Sequence, residues 1–130
     1  MLSRVGQRHV MIAGGAYYVS TGVLSFVSRR AFEAVTGPKL EWWLVQTVGA
    51  LVTAVGGGML SGALRERITP ELTLISAGCA AGLAGIDVVY VARGRISPVY
   101  LADAAIEVAF LAGLAATSRA AGQTGDPNDV

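Results

Sequence analysis

Four apolar runs, at about 10–27, 44–64, 72–92 and 99–117, separated only by short polar connectors, constrain this 130-residue chain more than any other feature. Each is about 18–21 residues long. At about 1.5 Å of rise per residue, such a run crosses a bilayer's hydrocarbon as one helix. The expected fold is all-α: an integral membrane four-helix bundle with both termini on the same side. Residues 1–9 read as a polar N-terminal segment, 10–117 as the membrane domain, and 118–130 as a disordered tail. A basic segment before an apolar run also suits a signal peptide. The length of the first run and the Arg29-Arg30 pair behind it point instead to a retained helix.

Composition agrees with this. Charged residues make up 15% of the chain and mean hydropathy is +0.56. So few charges cannot coat a small soluble domain, where about 25% is usual. The net charge of +1 suggests no nucleic-acid partner. The single cysteine, Cys79, has no partner for a disulfide or a redox pair and reads as a small residue packed between helices.

The connectors carry their own signals. Arg30 to Val35 reads as a short interfacial helix stopped by Thr36-Gly37-Pro38. Lys39 with Trp42 and Trp43 reads as an interfacial belt. Thr69-Pro70-Glu71 is a helix start: a cap, a proline at the first position and an acid at the positive end of the dipole. Ser97-Pro98 repeats that logic. Gly58/Gly62 and Gly78/Gly82 form two GxxxG pairs, faces through which the chain is expected to form a homo-oligomer or join a larger membrane complex. Arg4, Arg8, Arg65, Arg67 and Arg119 fall on one side of the membrane; Arg29, Arg30, Lys39, Arg93 and Arg95 fall on the other. Equal numbers leave the positive-inside rule silent on orientation. The tryptophan belt, read as an outer cap, favours cytoplasmic termini.

Three carboxyls interrupt the apolar runs. By rise alone, Asp87 lies roughly 7 Å inside the end of the third helix, and Asp103 lies at a similar depth from the start of the fourth. Glu107 is about 6 Å deeper. Asp87 and Tyr90 share one helix face; Tyr100, Asp103 and Glu107 share another. The turn carrying Arg93 and Arg95 makes these two helices antiparallel neighbours. A polar pocket is therefore expected between the third and fourth spans, acidic below and capped by Arg93, Arg95, Lys39, Trp42 and Trp43.

Ionisable groups inside a membrane helix point to function by default. One reading is structural, with Asp87 paired to Arg93 or Arg95. Glu107 has no local cation, so it is expected to be protonated or bonded to a tyrosine such as Tyr17, Tyr18 or Tyr90. A second reading is a pocket that binds an amphipathic membrane lipid, an isoprenoid or a partner subunit, with the basic residues holding an anionic head. A third is an isomerase-like or quinone-linked enzyme with Glu107 and Asp87 as acid and base. A proton-coupled small transporter fits by size, but its expected acidic residue is missing from the first run. The lone His9 lies at the opposite surface, so no metal or bis-His haem site is expected. Gly56-Gly57-Gly58 lies mid-helix and is not a phosphate loop. No Ser-His-Asp set can converge. No cofactor is indicated by a motif, and a quinone is left open without one.

The layout resembles the DoxX-like group of small bacterial four-helix membrane proteins. The resemblance rests on Thr36-Gly37-Pro38 after the first run, a glycine-rich second run ending at Arg65, and Gly82-Leu83 in the third. The Gly94-Arg-Ile-Ser-Pro98 turn and Glu107 in the fourth complete it. It implies the same fold. Some relatives of that group are linked to quinone-dependent oxidation of sulfur compounds, whereas this chain lacks a cysteine motif for such a role.

Overall fold

A computed structural model describes residues 2–123, with side chains placed for residues 5–117. It contains five helices: α1 (Leu2–Val27), α2 (Arg29–Thr36), α3 (Trp42–Leu64), α4 (Pro70–Ala92) and α5 (Tyr100–Gln123). The described residues contain no strand. Four helices are long and apolar enough to cross a membrane, with spans Val5–Val27, Trp42–Leu64, Pro70–Ala92 and Tyr100–Thr117. The polar N-terminal residues continue α1, because nothing between Leu2 and Val10 stops a helix. The tail expected from residue 118 begins within α5, and residues 124–130 lie outside the described residues.

Local chemistry sets the helix ends. Ser28 closes α1 and caps α2: its Oγ accepts from the Ala31 N–H at 3.1 Å. Gly37, with φ of 90°, ends α2 and donates its N–H to Glu33 O at 2.8 Å. Thr69 Oγ1 accepts from the Leu72 N–H at 3.1 Å, with Pro70 at the first helical turn and Glu71 behind it. A short turn over 97–102 leads into α5, through Tyr100 N–H to Ser97 O (3.1 Å) and Leu101 N–H to Pro98 O (2.9 Å).

The C-termini of α3 and α4 share one motif. After α3, Arg67 N–H donates to Gly62 O at 2.8 Å and Glu66 N–H to Ala63 O at 3.2 Å. After α4, Arg95 N–H donates to Tyr90 O at 2.9 Å and Gly94 N–H to Val91 O at 3.0 Å. Both are Schellman caps, which need a left-handed residue just past the helix. Gly94 takes that position at φ 69°, and Glu66 takes it at φ 56° despite its side chain. The Glu66 carboxylate there reaches Arg8 of α1 at 3.5 Å.

Packing is uneven around the molecule. α1 lies along α3 for most of its length, α4 lies along α5, α1 also meets α5, and α3 touches α4 only slightly. Glycines set the α1–α3 approach. A Cβ on Gly56 would lie 2.8 Å from Gly15 O, and one on Gly22 would lie 2.5 Å from Gly49 O. These glycines repeat seven residues apart on both helices, so the two backbones come close at two levels, with Tyr18, Ser25 and Thr53 packed beside the glycines. The GxxxG pairs sit elsewhere. Gly62 faces Leu72 and the Arg67 carbonyl, while Gly78 and Gly82 face open space. Met11, Tyr18, Met59, Ala63, Ala80, Phe110 and Leu114 form the buried core, and Cys79 packs against it.

Candidate functional site

The polar centre of the protein joins α1 to α5. Tyr17 OH donates to Asp103 Oδ1, and Tyr18 OH donates to Glu107 Oε2. The adjacent tyrosines splay their hydroxyls to carboxyls four residues apart, one turn of α5. Glu107 and Tyr18 are each only 1% exposed, and Asp87 of α4 is 5% exposed. Asp87 is carried by α4, which packs along α5, so three helices contribute to one buried polar cluster. The cluster is not saturated: Asp87 Oδ2 and Glu107 Oε1 are buried without a hydrogen-bond partner. A buried, partnerless polar atom costs about 1–3 kcal/mol, so two in one cluster mark it as unfinished.

A cavity of about 260 Å³, open on one side, adjoins this cluster between α1 and α5. Val10, Ala13, Gly14, Tyr17 and Tyr18 form one wall. Ile106, Glu107, Ala109 and Phe110 form the other. The cavity thus lies between the first and fourth spans rather than between the third and fourth. The expected pocket placed α4 opposite α5 correctly as a neighbour, but the missing wall is α1. Its lining residues were legible as a face: Val10, Ala13, Gly14, Tyr17 and Tyr18 fall at i, i+3, i+4, i+7 and i+8, one stripe of a helix. The lining is apolar and aromatic except for Glu107 and the two phenols. Tyr18 meets Phe110 edge to face, with ring centroids 6.3 Å apart, and Tyr17 at 6.1 Å.

The basic and aromatic residues expected above the carboxyls form a separate surface group. Arg29 Nε pairs with Glu33 Oε1 at 3.0 Å, its Nη2 donates to Lys39 O at 2.9 Å, and its guanidinium stacks 5.0 Å over the Trp42 ring. Lys39 Nζ donates to Thr36 O at 2.8 Å and sits 5.1 Å over the Tyr100 ring. Phe32 packs edge-on to Trp42, and Trp43 Nε1 donates to Glu41 Oε2 at 2.7 Å. The connector therefore engages Arg29 and Lys39 through its own groups. Glu33 holds it together: the Arg29 hydrogen bond, then the Lys39 N–H, keeps its carboxyl below the usual carboxylate range.

Asp87 does not pair with Arg93 or Arg95. Arg93 lies six residues on, about 240° around the helix, so it is offset by about 120° from Asp87 and does not share its face. Its guanidinium instead lies 5.9 Å over the exposed Tyr90 ring. Arg95 follows Gly94 past the helix end and is exposed. Of the residues expected at the site, Asp87, Asp103, Glu107, Tyr17 and Tyr18 come together. Tyr90, Tyr100, Arg93, Arg95, Lys39, Trp42 and Trp43 do not join them. Among the described residues, no group of three His, Cys, Asp or Glu side chains is arranged to hold a metal ion.

No family model matches this chain, and no curated protein or solved structure matches it significantly. The resemblance to DoxX-like proteins therefore rests on the short motifs alone.

Proposed function

We propose that this chain is a multi-pass membrane protein, a four-helix bundle with both termini on the same side, that binds an amphipathic lipid or isoprenoid-like molecule between α1 and α5. The observation that carries the reading is the cavity that adjoins Glu107, whose Oε1 has no partner inside the protein. An apolar, aromatic lining with a few convergent polar groups is the usual make-up of a small-molecule site. A volume of about 260 Å³ suits a head group and the first part of a chain, with the rest leaving through the open side.

The acid–base reading stands second. It needs both Glu107 and Asp87 at the substrate, and of these only Glu107 lines the cavity. An anionic head held by basic residues is also less well supported, because Arg29 and Lys39 are engaged within the connector.

Native mass spectrometry after gentle extraction tests the binding reading. The wild-type protein is expected to retain one amphipathic molecule per binding site. Ala13→Phe with Ala109→Phe, both on the cavity wall, should release it while the helices stay folded. Equal retention by the wild type and the filled variant would show that the molecule sits elsewhere.

A further inference from the structure

We infer that the head group bound in the α1–α5 cavity is a protonated amine; this rests on the cavity reading above. Glu107 lines the cavity, is almost wholly buried, and spends Oε2 on the Tyr18 hydroxyl; Oε1 has no partner and is itself covered, so a ligand meets it once the side chain turns toward the cavity. Asp103 and Asp87 stand beside it, the latter with a second free oxygen. Nothing positive faces this cluster from α1, α4 or α5 among the described residues. The described ion pairs are Arg8 with Glu66 and Arg29 with Glu33, both outside it, and Lys39 serves the Thr36 carbonyl.

A ligand that completes the cluster can bring hydrogen-bond donors, and beside carboxyls a positive charge strengthens them. An ammonium supplies both in a compact group with three donors, and charge-assisted bonds are the stronger kind. The walls suit a cation too. Tyr17, Tyr18 and Phe110 surround the approach to Glu107, and aromatic faces attract a desolvated cation. An acid head would meet three carboxyls, and an alcohol would donate one hydrogen bond without balancing charge.

Three probes of equal chain length separate these cases: dodecylamine, dodecanol and dodecanoate, each added to the delipidated full chain in mild detergent. One-to-one adducts are measured by native mass spectrometry. Dodecylamine should bind at least about tenfold more tightly than either of the others. Its adduct should disappear in Glu107→Gln and in the Ala13→Phe/Ala109→Phe variant. Dodecanol or dodecanoate binding as well as the amine overturns the amine head and leaves the cavity reading standing. No adduct with any probe overturns both. An amine adduct that persists in the filled variant also overturns the inference, and that arm decides the matter if Glu107→Gln fails to fold.

Discussion

Gly56→Ala is the most direct probe of the α1–α3 contact. The added Cβ would sit 2.8 Å from Gly15 O, 2.8 Å from Tyr18 Cβ and 2.9 Å from Val19 N. Carbon contacts are comfortable at about 3.5–4.0 Å, so α1 must retreat by about 0.7 Å or more. Two of the three obstacles are backbone atoms, which cannot rotate away. Overpacking of this kind costs about 1–3 kcal/mol, and a gap of that size forfeits about a quarter to a half of the dispersion between neighbouring atoms. Removing a glycine from a helix returns up to about 1 kcal/mol. The net expectation is a loss of about 1–2 kcal/mol. Gly82→Ala is the control: its Cβ would meet nothing within 4 Å, so only the helix term acts and stability should hold or rise slightly. Gly15→Ala enforces the same retreat from the other side, so the double variant should lose less than the sum of the singles, by about 0.5 kcal/mol or more. Unfolding in detergent, followed by far-ultraviolet circular dichroism, measures all four. Equal effects of Gly56→Ala and Gly82→Ala, or full additivity in the double variant, would refute the reasoning.

Two further outcomes follow from the hydrogen bonds. Tyr18→Phe leaves both Glu107 oxygens buried without a partner and should cost about 1–3 kcal/mol, whereas Tyr17→Phe removes a part-buried bond and should cost less; the reverse order in the same unfolding assay would contradict the burial argument. Glu33 titrates lower when folded, so its contribution is present above the ordinary carboxylate range and lost as pH falls through its depressed value. Trp42 fluorescence in a Trp43→Phe background should report that acid transition, and Glu33→Gln should abolish it; an unchanged transition in Glu33→Gln would assign it to another group.

Much of this architecture is legible in the sequence because it is local. Thr69-Pro70-Glu71 declares a helix start within three residues, and the cap forms as written. The apolar runs declare α3 and α4 almost to the residue. The site is harder to read because it depends on which helices meet. Glu107 announces itself as a deep carboxyl, and a tyrosine partner is a sound expectation, but choosing Tyr18 over Tyr90 requires knowing that α1 faces α5. The GxxxG pairs draw attention by their familiar spacing, yet the close approach inside the chain uses Gly15 and Gly22 against Gly49 and Gly56. That signal was a seven-residue glycine repeat shared by two helices. The basic residues mislead for another reason: Arg29, Glu33, Lys39 and Trp42 lie close enough in sequence to satisfy one another.

The tyrosine–carboxyl pair also bears on assembly order. Tyr17–Asp103 and Tyr18–Glu107 span 86 and 89 residues, whereas the α1–α3 and α4–α5 contacts join helices that follow one another across connectors. Local contacts form first, because closing a longer loop costs more entropy. Each hairpin can therefore pack before the two halves meet. Until they do, Asp103 and Glu107 lack their phenolic donors. An incorrectly matched pair of halves leaves those carboxyls without them. The same two hydrogen bonds that join α1 to α5 in the finished fold thus favour correctly matched halves while the protein is being built.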